Sequence, residues 1–217
     1  GSSLKVFGVV QPGPQAWTRQ GLIGLGFGVP EWLRFVPVDF EAGGSWWERL
    51  AAAGFDAGQP AVVASTGVSM YLTKEAIAAT LRQVATLAPG STLAMTFILP
   101  AELAEPVDRP QHQAVEKSAR AAGAPFLSFF TPPEMLALAR DAGFTEAQHV
   151  SADSLTQRYF RNRTDGLRPP PSPEELLGAP TLAPTPAGPF PNAVTDLAPP
   201  PHHPHPPDPP RRRPPRP

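Results

Sequence analysis

Along the first 168 residues, short β-rich apolar runs take turns with longer amphipathic segments, and this alternation constrains the fold more than any single motif. The runs "LKVFGVV" (4–10), "LRFVPV" (33–38), "PAVVAST" (60–66) and "STLAMTFIL" (91–99) have the length and composition of strands. Between them, "PQAWTRQGLIGLG" (14–26) and "WWERLAAAGF" (46–55) read as helices closed by glycines. Thr73 is positioned to cap "KEAIAATLRQVATLAPG", whose Ile77, Leu81, Val84 and Leu87 recur at helical spacing, and Pro89-Gly90 ends it. In "TPPEMLALARDAGF", Thr131 as N-cap, Pro132 at the first helical position and Glu134 three residues on form a capping box. A looser, partly helical stretch (110–123) precedes it, and a strand "FTEAQHV" and a short helix over 152–159 follow. Strand–helix repetition at this spacing predicts βα units and a mainly parallel sheet with helices on both faces. The largely apolar run at 60–66 is short enough to be a strand buried on both faces.

Proline changes the picture at the far end. The 49 residues from Pro169 onward hold 20 of the 32 prolines, with almost no apolar periodicity. Such a segment buries too little surface to offset its ordering entropy, so the expected organisation is a domain over 1–168 and a disordered proline-rich tail over 169–217. A net charge of −1 carries no field that would recruit nucleic acid. The absence of cysteine excludes disulfides, thiolate metal sites and a cysteine nucleophile. No apolar run reaches the roughly 20 residues that span a bilayer, and the first residues lack a signal-like pattern, so a cytoplasmic protein without membrane partners is expected.

Asp39 raises the functional question. A carboxylate at the end of the buried run Val36–Val38 either caps a turn towards the Trp46 helix or faces a ligand. In open α/β sheets ligands bind at the carboxyl ends of strands, where Val10, Asp39 and "STGVSMYL" (65–72) all fall. The glycine-rich "GLIGLGFG" (21–28) offers no G-x-G-x-x-G register and follows a helix rather than a strand. Neither a P-loop nor a G-x-S-x-G nucleophile elbow is present. The histidines of "HHPH" (202–205) sit in the tail and are weak metal ligands there, so no metal site is expected. Trp17, Trp32, Trp46 and Trp47 read as helix packing or surface.

The blocks "FVPVDF", "GVSMYLTKEAIAATLRQVATLAPGS", "FLSFFTPPEMLALARDAGF" and "RYFRNRTDGLRP", in this order and spacing, resemble the leucine carboxyl methyltransferase-like family of class I S-adenosylmethionine-dependent methyltransferases. The resemblance implies a Rossmann-like sheet, S-adenosyl-L-methionine as cofactor and methyl transfer to an oxygen, typically a carboxylate on a small molecule. It places Asp39 against the adenine with Phe40 flanking the base. It makes Thr66, Gly67 and Val68 part of the loop that lines the cofactor. Tyr71 either points towards the substrate or packs as core. No catalytic residue is named, because a carboxylate acceptor is already ionised at neutral pH. Arg34, Arg158 and Arg161 are candidates for orienting an acidic substrate.

The chain also departs from that family. Its first strand and glycine-rich loop have no counterpart, leaving an incomplete sheet whose flanking strands lose a partner. Where the family's next strand ends in two acids, in a pattern like V-F-E-V-D-Q-P, this chain reads "VFGVVQP", with Gly8 and Val10 in their place. Thr66 stands where an acid often precedes the loop glycine. After "TDGLRP" the family continues into a closing strand, and here a proline-rich sequence follows. The expectation is therefore a truncated or inactive copy of an O-methyltransferase. The alternative is a non-catalytic interaction protein whose proline-rich tail docks into SH3- or WW-like grooves.

Overall fold

The computed structural model describes residues 4–39, 45–103, 106, 109–165, 167 and 173–182. Phe40 and His202–His205 lie outside them, as does the chain beyond residue 182.

The elements follow the alternation. β1 (Val6–Val10), α1 (Pro12–Gly24), β2 (Leu33–Pro37) and α2 (Trp46–Ala52) form the first half. β3 (Val62–Ser65), α3 (Lys74–Ala85), β4 (Thr92–Ile98), α4 (Arg109–Ala121), α5 (Pro132–Asp141), β5 (Gln148–Val150), α6 (Ala152–Tyr159) and β6 (Glu174–Pro180) follow. Helix boundaries are set by local chemistry. Ser45, Thr73, Thr131 and Ser151 each accept a hydrogen bond from the third backbone N–H inside their helix. The Thr131–Glu134 box closes in both directions, with the Glu134 carboxylate 2.7 Å from the Thr131 N–H. α1 starts two residues before the expected position, because Pro12 and Pro14 both fit its first turn.

The strands form two sheets. β1 and β2 pair in parallel, Val6 opposite Leu33 through Val10 opposite Pro37. The larger sheet has the order β3-β4-β6-β5, with β3 and β4 parallel and β6 antiparallel to both its neighbours. The sheet is α/β and Rossmann-like, and among the described residues no strand pairs with the second edge of β1 or of β3.

The core lies on one face of the larger sheet. Leu93, Met95 and Phe97 of β4 and Leu177 and Ala179 of β6 meet Ile77, Leu81 and Val84 of α3 and Met135 and Ala139 of α5. The predicted stripe on α3 is the stripe that is buried. A smaller core joins Val36 and Val38 to Leu50 of α2. Trp46, Trp47 and Phe55 pack against both cores, and the two indoles meet edge to face with centroids 5.2 Å apart. Trp17 and Trp32 are exposed.

Two expectations are corrected. β3 is not buried on both faces: Val63 packs on the core while Val62 is 81% exposed, because β3 is an edge strand with one open face. The tail does not begin at residue 169 either. Glu174–Pro180 is a seven-residue strand at an interior position of the sheet, with Leu177, Gly178 and Ala179 buried. The closing strand thought to be missing is therefore present. Thr181 then locks its end. Its hydroxyl donates to the Ala88 carbonyl at 2.8 Å and accepts from the Ser91 N–H at 3.0 Å, joining β6 to the loop between α3 and β4. Both side chains are buried, so each polar atom needs these partners.

Candidate cofactor site

Of the residues expected to face the cofactor, the four that are described, Asp39, Thr66, Gly67 and Val68, follow the carboxyl ends of strands. Asp39 follows β2 and is exposed, at the end of the two-stranded sheet. Thr66, Gly67 and Val68 follow β3 at the end of the larger sheet, so the structure gathers these three into one turn and places Asp39 on a separate sheet.

That turn has a definite construction. Gly67 has φ +67, a conformation that L side chains adopt only at a cost, and a Cβ there would meet nothing within 4 Å. Its N–H donates to the Thr96 hydroxyl on β4 at 2.8 Å, and the Ser69 hydroxyl donates to the Thr96 carbonyl at 2.7 Å. Thr96 thus holds the turn from the neighbouring strand. Thr66 and Gly67 face solvent, while Ser69 and Met70 are buried beneath them in the short 3-10 turn Ser69–Tyr71. Sequence reasoning missed Thr96. Its signal is a hydroxyl at mid-strand between Met95 and Phe97, where a half-buried polar group tends to find a partner.

Tyr71 is half exposed and its ring meets Phe126 edge to face at 5.4 Å, with Phe129 next in line. Ser128 donates to the Leu72 carbonyl at 2.6 Å and the Leu127 N–H donates to the Met70 carbonyl at 2.7 Å, so the segment after α4 is fastened along the 3-10 turn.

The arginine candidates separate by position. Arg158 lies over the Tyr159 ring, 5.6 Å from its centroid, and Arg161 is exposed in the turn after α6. Arg34 is near the start of β2, five positions before Asp39 and roughly 16 Å away along an extended strand. It cannot share a ligand group with the strand's carboxyl end.

At the end of β1, Val10 is 40% exposed and brings no side-chain acceptor. No group of three or more metal-ligating side chains occurs among the described residues, and none of their helices is long and apolar enough to cross a membrane.

Known proteins similar to this chain are methyltransferases or candidates for that activity. The sequence profile of the leucine carboxyl methyltransferase family matches residues 2–85. YktD of Bacillus subtilis, itself a candidate S-adenosyl-L-methionine-dependent methyltransferase, is 29% identical over 167 residues, 76% of this chain and 54% of YktD. A candidate methyltransferase of the same kind from Streptomyces coelicolor, SCO6443, is 33% identical over 132 residues, 59% of this chain and 42% of its own length. The chain thus spans about half the length of these relatives or less. Among solved structures, the S-adenosylmethionine-dependent methyltransferase SibL in its apo form superposes with a TM-score of 0.52 at 15% identity, over 83% of this chain and 44% of SibL, which speaks for the fold alone. The chain is thus similar over residues 2–85 to the leucine carboxyl methyltransferase family, and over most of its length to a candidate S-adenosyl-L-methionine-dependent methyltransferase.

Proposed function

We propose that the chain serves S-adenosyl-L-methionine-dependent methyl transfer to an oxygen, with a carboxylate-bearing small molecule as acceptor. The observation that carries this reading is the family match over residues 2–85, which contains both Asp39 and the Thr66–Val68 turn.

When bound, the cofactor supplies a methyl carbon activated by sulfur; the new bond is oxygen to carbon and the broken one carbon to sulfur. The chain's own residues have a positioning task. Asp39 would accept from the adenine amino group, with Phe40 along the base. The exposed peptide of Gly67, bare of a side chain, allows close approach, and Val68 gives an apolar wall. Tyr71, with its ring half exposed, borders the acceptor side. An ionised carboxylate needs no general base, so alignment and exclusion of water are the whole contribution.

The residues fit one end of the cofactor better than the other. Val10 cannot accept hydrogen bonds from a ribose diol. Each hydroxyl left without a partner costs about 1–3 kcal/mol, roughly a ten- to hundredfold loss of affinity. The expected state is therefore weak cofactor binding and low activity. Isothermal titration of the full chain should give a dissociation constant for S-adenosyl-L-methionine above about 100 µM, and Val10→Asp should tighten it. Low-micromolar binding by the parent chain would refute the weak-binding part. Failure of both the parent and V10D to bind at millimolar cofactor would refute the cofactor role.

A further inference from the structure

Arg19 of α1 and Arg34 of β2 line the same surface depression, about 380 Å³ in volume, together with Val29, Phe35 and the C-terminal turn of α2. Among the described residues neither guanidinium has an ion-pair or hydrogen-bond partner. Two positive charges lining one hollow repel each other, and an anion bound there would relieve that repulsion.

The backbone adds a third donor. Val6 N–H donates to the Trp32 carbonyl at 2.8 Å and Val38 N–H donates to the Val10 carbonyl at 3.0 Å. Even-numbered residues of this strand therefore turn their peptide groups towards β1. Phe35, odd-numbered, turns its N–H to the outer edge, where among the described residues β2 has no neighbour. Phe35 also lines the depression. Guanidinium groups with a free strand-edge amide are the donor set that oxyanions select.

We propose that this depression is a binding site for a small organic anion, a carboxylate. It lies at the opposite end of β2 from Asp39, so it is independent of the cofactor reading and stands whether or not the chain methylates anything.

The test is an amide-resolved NMR titration of the full chain with sodium phenylacetate at fixed ionic strength, beside 2-phenylethanol as the uncharged counterpart. Phenylacetate should shift the Phe35 amide saturably, and 2-phenylethanol should not. Arg19→Gln and Arg34→Gln should each weaken phenylacetate by about tenfold, and Arg34→Lys should fall between because it keeps the charge and loses the fork. Arg19 is exposed on a helix, so R19Q decides the matter if R34Q fails to fold. An equal response to 2-phenylethanol, a non-saturating shift, or unchanged affinity in R19Q would overturn the proposal.

Discussion

Leu177→Ala tests the placement of the last strand. If residues after 168 were a solvated tail, this substitution would be silent. In the structure Leu177 is fully buried, opposite Met95 on β4 and His149 on β5, in the core formed by α3 and α5. Truncating leucine to alanine removes apolar mass worth roughly 2 kcal/mol at about 0.8 kcal/mol per methylene-sized group. A cavity enclosed by two strands and two helices adds to that, so the total is about 3–4 kcal/mol. With a urea dependence of about 2 kcal/mol per molar for a domain of this size, the midpoint falls by roughly 1.5–2 M. Trp46 and Trp47 pack against the same core, so their fluorescence follows the transition. Truncation after Leu182, which leaves β6 and Thr181 intact, is the matched control and should leave the midpoint where it was. A loss below about 0.5 kcal/mol in L177A, the range of ordinary surface changes, refutes the reasoning.

Two further outcomes follow from local geometry. The Thr131 backbone N–H, then its hydroxyl, hold the Glu134 carboxyl below its ordinary value. A depressed carboxyl contributes stability that is present above its unfolded value and is lost as pH falls through the lower folded value, so Thr131→Ala should cost about 1 kcal/mol at neutral pH and less in acid, read by denaturation at both. Gly67→Ala meets no neighbour and carries only backbone strain, so about 1 kcal/mol of stability should be lost on thermal melting. A larger loss would mean that the turn shifts as a unit away from Thr96.

Much of the helical framework could be read from the chain because its determinants are local. Thr73, Thr131 and the Ile77–Leu81–Val84 stripe each act within a few residues, and each lies where its spacing predicts. β6 was hidden for the opposite reason. Its seven residues follow Pro173 and end in Pro180, and composition averaged over the whole tail conceals a short apolar run. What makes "EELLGAP" a strand is the pair of partners waiting at β4 and β5, and no window of sequence contains them. The exposure of Val62 is likewise a property of sheet order rather than of the run in which it sits. At the candidate site the same division holds. Gly67 announces itself by residue type, whereas its anchor Thr96 is 29 positions away and becomes visible only when β3 and β4 are side by side.

The interior position of the last strand has a consequence for synthesis. A ribosome that has completed Ile98 must add a further 82 residues before Pro180 exists, a span of roughly 4–16 seconds at ordinary elongation rates. During that interval β4 offers an unpaired backbone edge, and β5 emerges with no strand beside it. The nascent chain is therefore most vulnerable to wrong partners during that interval, and chaperone occupancy should drop abruptly once "EELLGAP" clears the exit tunnel.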